Sequence, residues 1–131
     1  MKQYIGTKII QAEPAVKNGR DGYKVVYPPD GYESWSPKDV FEAAYHETDG
    51  MNFGLAIEAA KMGKKIARKG WNGKGIYLEL QVPDEHSKMT LPYLYIVTNN
   101  LITDNPHAPK GRVPWLASQT DMLADDWYIV E

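Results

Sequence analysis

Apolar and polar residues alternate along this chain in short blocks that switch between strand and helix spacing. Tyr4-Ile-Gly-Thr-Lys-Ile-Ile10 predicts an opening strand, and Pro14 and Asn18-Gly19 mark loop. Tyr23-Lys-Val-Val-Tyr27 predicts a second strand. Pro28-Pro-Asp-Gly31 is a turn signal, and Tyr32-Glu-Ser-Trp35 predicts a short third strand. Ser36-Pro-Lys-Asp39 then opens a helix: Ser36 as cap, Pro37 at the first helical position, Asp39 placed as a capping-box acid. That helix runs to about His46, with Val40, Phe41, Ala44 and Tyr45 on one face and Trp35 as a staple before it.

A seam falls at Glu47-Thr-Asp-Gly50. Beyond it, Asn52 is a candidate cap. Leu55, Ala59, Met62 and Ile66 form a buried stripe at helical spacing, with Gly70 as the C′ stop. Trp71-Asn-Gly-Lys-Gly75 reads as a tight loop. Ile76 to Val82 alternates as a half-buried strand, and Leu91 to Thr98 is another, with Tyr93 and Tyr95 on one face. Asn99 to Gly111 reads as a long loop. Ser118 to Ala124 predicts a short helix with Ser118 and Asp121 at capping-box spacing, and Trp127-Tyr-Ile-Val130 a final strand. The predicted fold is α+β: a small, mostly antiparallel sheet with two main helices and a short third. The predicted parts are a β-β-α module at 1–48 and an α/β core at 51–131.

Composition narrows the function classes. The 131 residues are 43% hydrophobic and 24% charged, as in an ordinary globular domain. A net charge of −2 gives no electrostatic case for DNA binding. There is no cysteine, which removes disulfides, thiolate nucleophiles and Cys-ligated zinc, and fits a reducing cytoplasm. The opening residues lack the apolar core of a signal peptide, and no apolar run approaches the roughly 18 residues of a membrane span. No membrane partner is expected. Four Trp and nine Tyr against two Phe favour rings with a polar handle, suited to half-wet sites.

Val113 to Trp127 concentrates this chemistry, with two Trp, three Asp and a Ser/Gln/Thr cluster in one segment. Flat rings that stack, with polar groups that bond ring edges, would use such a mixture. Catalysis has less support. His46, His86 and His107 stand alone, without metal-ligand spacing, and the serines lack a nucleophile elbow. Asp121, Asp125 and Asp126 read as acid/base candidates or as capping and solvated residues. Gly70-Trp-Asn-Gly-Lys-Gly75 offers backbone amides and Lys74 to a phosphate, or is a helix stop and turn. Lys61, Lys64, Lys65, Arg68 and Lys69 place five cations in the last turns of one predicted helix, a macrodipole complement or a ligand contact. Trp71 and Trp115 sit in loops, as stacking platforms or as lids on a small core. Trp127 reads as structural.

Two stretches, Met51 to Gly75 and Val113 to Trp127, together resemble the second type of Thoeris anti-defence proteins, carried by phages and prophages. The resemblance covers about residues 51–131. It implies a small α/β protein assembling as a homotetramer, with no catalysis, cofactor or metal. Such proteins sequester glycocyclic ADP-ribose made by TIR-domain enzymes in the host cytoplasm, and some also hold cyclic oligonucleotides of the CBASS system at a separate site. On that reading Trp71 and Trp115 carry the ligand's rings. Asn72, Ser118, Gln119 and Asp121 bond base edges or ribose hydroxyls. Gly73 and Gly75 amides, with Lys74 or Arg112, meet phosphate. Residues 1–48 depart from the short members and look like an opening module of phage proteins; Asn99 to Arg112 is longer than the family's compact hairpin. Two other classes stay open: a metal-dependent nucleotide-processing enzyme using Asp121 or Asp126, and a module whose aromatic surface binds a protein.

Overall fold

The computed structural model describes all residues from Met1 to Glu131. The chain divides into two compact units, Met1–His46 and Glu47–Glu131.

The first unit is a three-stranded antiparallel sheet followed by a helix. β1 (Gln11–Lys17), β2 (Arg20–Tyr27) and β3 (Tyr32–Pro37) lie in the order β1-β2-β3, and α1 spans Lys38–Ala44. Asn18 and Gly19 both take positive φ, 50° and 75°, the requirement of a two-residue hairpin turn. That turn dictates the register. Lys17 pairs with Arg20, and counting outward brings Gln11 opposite Val26. The first strand is therefore residues 11–17, and the expected strand at Tyr4–Ile10 does not form; Tyr4 and Ile5 are almost fully exposed. Pro14 lies inside β1 rather than in a loop. An edge strand tolerates it, because one side of its ladder needs no N–H.

Ser36 belongs to β3, not to a helix cap. The N-cap position is Pro37, which has no side-chain acceptor to offer, and Asp39 faces Arg20 at 3.6 Å instead of reaching back. Trp35 is not a staple but a strand residue lying across Gly22, where any Cβ would overlap its ring and the Ser36 carbonyl. Its Nε1–H donates to the Ala15 carbonyl at 2.8 Å. Tyr23, Phe41 and Tyr45 stack in series, with centroids 4.2 and 5.0 Å apart.

The second unit is a five-stranded antiparallel sheet with two helices. Its strands are β4 (Lys65–Arg68), β5 (Tyr77–Gln81), β6 (Tyr93–Val97), β7 (Arg112–Pro114) and β8 (Trp127–Val130), in the order β7-β6-β5-β4-β8. α2 spans Phe53–Lys61 and α3 spans Gln119–Leu123. Asn52 caps α2, accepting from Leu55 N–H at 2.8 Å.

The helix ends at Lys61, about halfway along the predicted stripe. Gly63, at φ 87°, is its C′ residue: Gly63 N–H donates to Ala60 and Lys64 N–H to Ala59, the paired bonds of a Schellman stop. Gly70 is not the helix terminator. Ile66 still reaches the core, but from β4. Its neighbour Ala67 is equally buried, which adjacent residues achieve on opposite faces of a sheet, not on one helical stripe. The five cations are accordingly split among the helix end, the turn and the strand rather than sharing a helix. Met51, Ala56, Ala59, Ala60, Ile66, Leu78 and Trp127 form the core between α2 and the sheet. The fold is α+β. No helix is long and apolar enough to cross a membrane.

Candidate functional site

Trp127 opens β8 with none of its surface exposed, and other rings gather around it. Phe53, at the start of α2, lies 5.2 Å from it, Trp71 5.4 Å and Trp115 6.1 Å, centroid to centroid. Trp71 and Trp115 are 6.2 Å apart and edge-on to each other. These edge-to-face contacts suit the ring quadrupoles. Trp71 comes from the loop after β4 and Trp115 from the segment after β7, so two loops far apart in sequence meet over one buried indole. Both loop rings are half-buried: they pack on the core and retain an exposed flank.

A charged cluster ties the two loops together. Arg68, the last residue of β4, donates from Nη1 to Asp121 Oδ1 at 2.8 Å and from Nε to Asp126 Oδ1 at 2.8 Å. Its Nη2 reaches Asp126 Oδ2 at 3.4 Å, completing a fork, and the Arg68 side chain is only 13% exposed. Asp126 Oδ2 accepts from Gly70 N–H at 2.8 Å. Asp121 Oδ1 also accepts from Trp71 Nε1–H at 3.0 Å, while its Oδ2 accepts from the Ser118 backbone N–H and hydroxyl. The Ser118 hydroxyl in turn accepts from Asp121 N–H, so the predicted capping box is present. Trp127 Nε1–H donates to the Asp121 carbonyl at 2.9 Å.

The carboxyl groups feel this network. Burial pushes Asp121 up, but donors from Trp71, Arg68 and Ser118 outweigh it and hold the carboxyl at about 2. The Arg68 guanidinium likewise holds Asp126 low, and the two carboxylates raise Arg68. All four carboxylate oxygens accept from groups of this chain. This arrangement suits bracing more than metal ligation. No group of three or more His, Asp or Glu side chains is gathered as metal ligands.

Of the sequence-predicted site residues, Trp71, Trp115, Ser118 and Asp121 come together. Asn72 is exposed on the Trp71 loop and Gln119 is exposed at the first position of α3. Gly73 is a close approach: a Cβ there would press on Ile76 and Leu101 at 3.2 Å. Lys74 is exposed but folds back on its own loop, donating to the Lys69 and Trp71 carbonyls at 2.8 and 2.9 Å. Gly75 has φ 86° and abuts the Asn100 carbonyl. Ile102 N–H donates to the Lys74 carbonyl at 2.9 Å, so the long 98–111 stretch braces the loop. Arg112 is exposed in β7. It lies opposite Val97, beside the cluster of Ala67, Tyr77 and Val97 on which Tyr95 and one flank of Trp71 pack, and no bond joins it to the Arg68 network. There Tyr95 donates to Glu79 at 2.6 Å, and that bond pushes the phenol to about 12.

Phe53 was missed from the sequence, while Arg68 stood only as one cation among five and Asp126 only as an acid/base or solvated candidate; their pairing was not foreseen. The available signal was a cation following two consecutive buried residues and an acid directly before a core Trp; only pairing across 58 positions joins them.

The whole ring and ion cluster lies within residues 51–130, which match the Thoeris anti-defense 2-like domain family. The chain belongs to this family. Thoeris anti-defense 2 of Bacillus phage SP01 is 41% identical over 85 residues, spanning 61% of this chain and 94% of that relative. Membership supports a phage anti-defence role. Residues 1–50 lie outside the matched domain.

Proposed function

We propose that this member of the Thoeris anti-defense 2-like family sequesters a cyclic nucleotide immune signal without cleaving it. The ligand class is glycocyclic ADP-ribose, with cyclic oligonucleotides of the CBASS system as further candidates. The protein works in the cytoplasm of the infected host, as a homotetramer. The observation that carries this reading is the pair of loop indoles, Trp71 and Trp115, held 6.2 Å apart with exposed flanks inside the family domain. A ring stacked on an indole gains roughly 1–3 kcal/mol. Asn72, next to Trp71 in the chain, and Gln119, at the start of α3, are exposed amides suited to base or ribose groups. The Asp121 and Asp126 oxygens already serve Arg68, Trp71, Gly70 and Ser118, which argues for holding over turnover.

The test is capture and release. Purified protein mixed with glycocyclic ADP-ribose should deplete it from a filtrate, and heat should return it chemically intact. Return of a cleaved product would overturn the reading. Native mass spectrometry of the same mixture gives subunit number and stoichiometry. Trp71→Ala should weaken capture by roughly ten- to a hundredfold.

A further inference from the structure

We propose that Arg68 is a positioning residue for the Trp71 ring: by bridging Asp121 and Asp126 it sets the indole where a ligand ring must stack. The inference rests on the sequestration reading for its ligand, and on geometry for the rest. Trp71 sits in the loop that follows β4 from Lys69, so no ladder of the sheet holds it. Three bonds do so. Gly70 N–H is held by Asp126, the indole N–H by Asp121, and both carboxylates by the one guanidinium of Arg68. Arg68 is itself fixed, because β4 pairs it with Trp127 across the β4–β8 ladder. The chain of positions therefore runs from the sheet, through Arg68, to two carboxylates, to the loop ring. Asp121 is part of the same device. Its oxygens face its own chain, so its contribution to a ligand is made through Trp71.

Guanidinium geometry explains the choice of residue. A planar fork can serve two carboxylates in different directions at once, whereas an ammonium is a point charge. A ring already held in its bound orientation loses less freedom on binding, and the ligand is held more tightly in consequence.

The experiment compares wild type, Arg68→Lys and Arg68→Met in the full chain. Indole N–H hydrogen exchange is followed by NMR, the Trp71 signal being assigned with Trp71→Phe. Trp127 is an internal reference, since its N–H is bonded to a backbone carbonyl. Affinity for glycocyclic ADP-ribose is measured by calorimetry on the same samples. In Arg68→Met the Trp71 indole N–H should exchange faster while Trp127 stays protected, and the affinity should fall roughly tenfold. Arg68→Lys should rescue part of both. A Trp71 signal unchanged relative to Trp127, or an unchanged affinity in a loosened loop, would overturn the proposal. If Arg68→Met fails to fold, Arg68→Lys and Asp126→Asn carry the same two readings. Failure of wild type to bind the probe would instead remove the sequestration reading, and the indole exchange would still decide whether Arg68 positions the ring.

Discussion

In the unit at 47–131, three rings converge on Trp127, which has no exposed surface, and the one network of sheltered charges lies beside it. In the unit at 1–46, the rings lie along the sheet instead. Val25 is its single fully buried apolar side chain, and its ion pairs, Arg20–Asp39 and Lys24–Glu33, stand in solvent. The larger unit is organised by burial around one indole. The smaller is organised by hairpin register, by the Tyr23–Phe41–Tyr45 stack, and by one indole lying over a glycine. The lesson is about rigidity. A loop ring can be held still where a core and a charged brace stand behind it, and Trp71 has both.

The sharpest way to break this contrast is Trp127→Ala. It removes the centre of the ring cluster, and the unit at 47–131 should lose roughly 3–5 kcal/mol, read as a fall in the denaturant midpoint. Next is Gly22→Ala, which drives a methyl into the Trp35 ring and the Ser36 carbonyl. The cost should be roughly 1–3 kcal/mol, seen as a changed Trp35 indole signal while that of Trp127 stays put.

Acid offers a graded test. The Asp121 carboxyl is held at about 2 in the folded chain against an ordinary 3.8. Its folded value is depressed, so its contribution is present above pH 4 and lost as pH falls towards 2. The loss should be roughly 2 kcal/mol, measured by unfolding at stepped pH. Asp126 shifts in the same direction and adds to it. At the alkaline end the sign reverses for Tyr95. Its phenol is raised to about 12, so that contribution holds below pH 10 and fades as pH rises to 12. The smallest effect belongs to Arg20→Ala. The pair it breaks is 3.6 Å long and more than half exposed on both sides, so the change should stay within about 0.5 kcal/mol. A larger loss would mean the first unit relies on charge more than its exposure suggests.

Much of the fold was legible in local signals. Asn18-Gly19, Asn52, and the Ser118/Asp121 box each mark structure through their own backbone chemistry, and each sits at its marked place. Strand β5 follows from alternation over adjacent residues, and β2, β6 and β8 from short runs of aromatic and β-branched residues. The candidate site was legible in part: Trp71 and Trp115 stood out as loop indoles, but Arg68 read as one cation among five.

Errors arose where two signals competed. Leu55 to Ile66 has helical spacing throughout, yet Gly63 ends the helix and Ile66 is buried from a strand. Tyr4 to Ile10 has strand composition, yet the turn at 18–19 recruits residues 11–17. In both cases a positive-φ turn outranked the periodicity, because backbone geometry is decided within a few residues and burial only by the assembled sheet. Sequence by itself determined the α+β class, the caps at Asn52 and Ser118, the turn at 18–19, the family, and the two loop rings. Tertiary structure alone decided that Arg68 would join Asp121 to Asp126 and brace Trp71. Those bonds span 50 residues or more, and no local preference reaches that far.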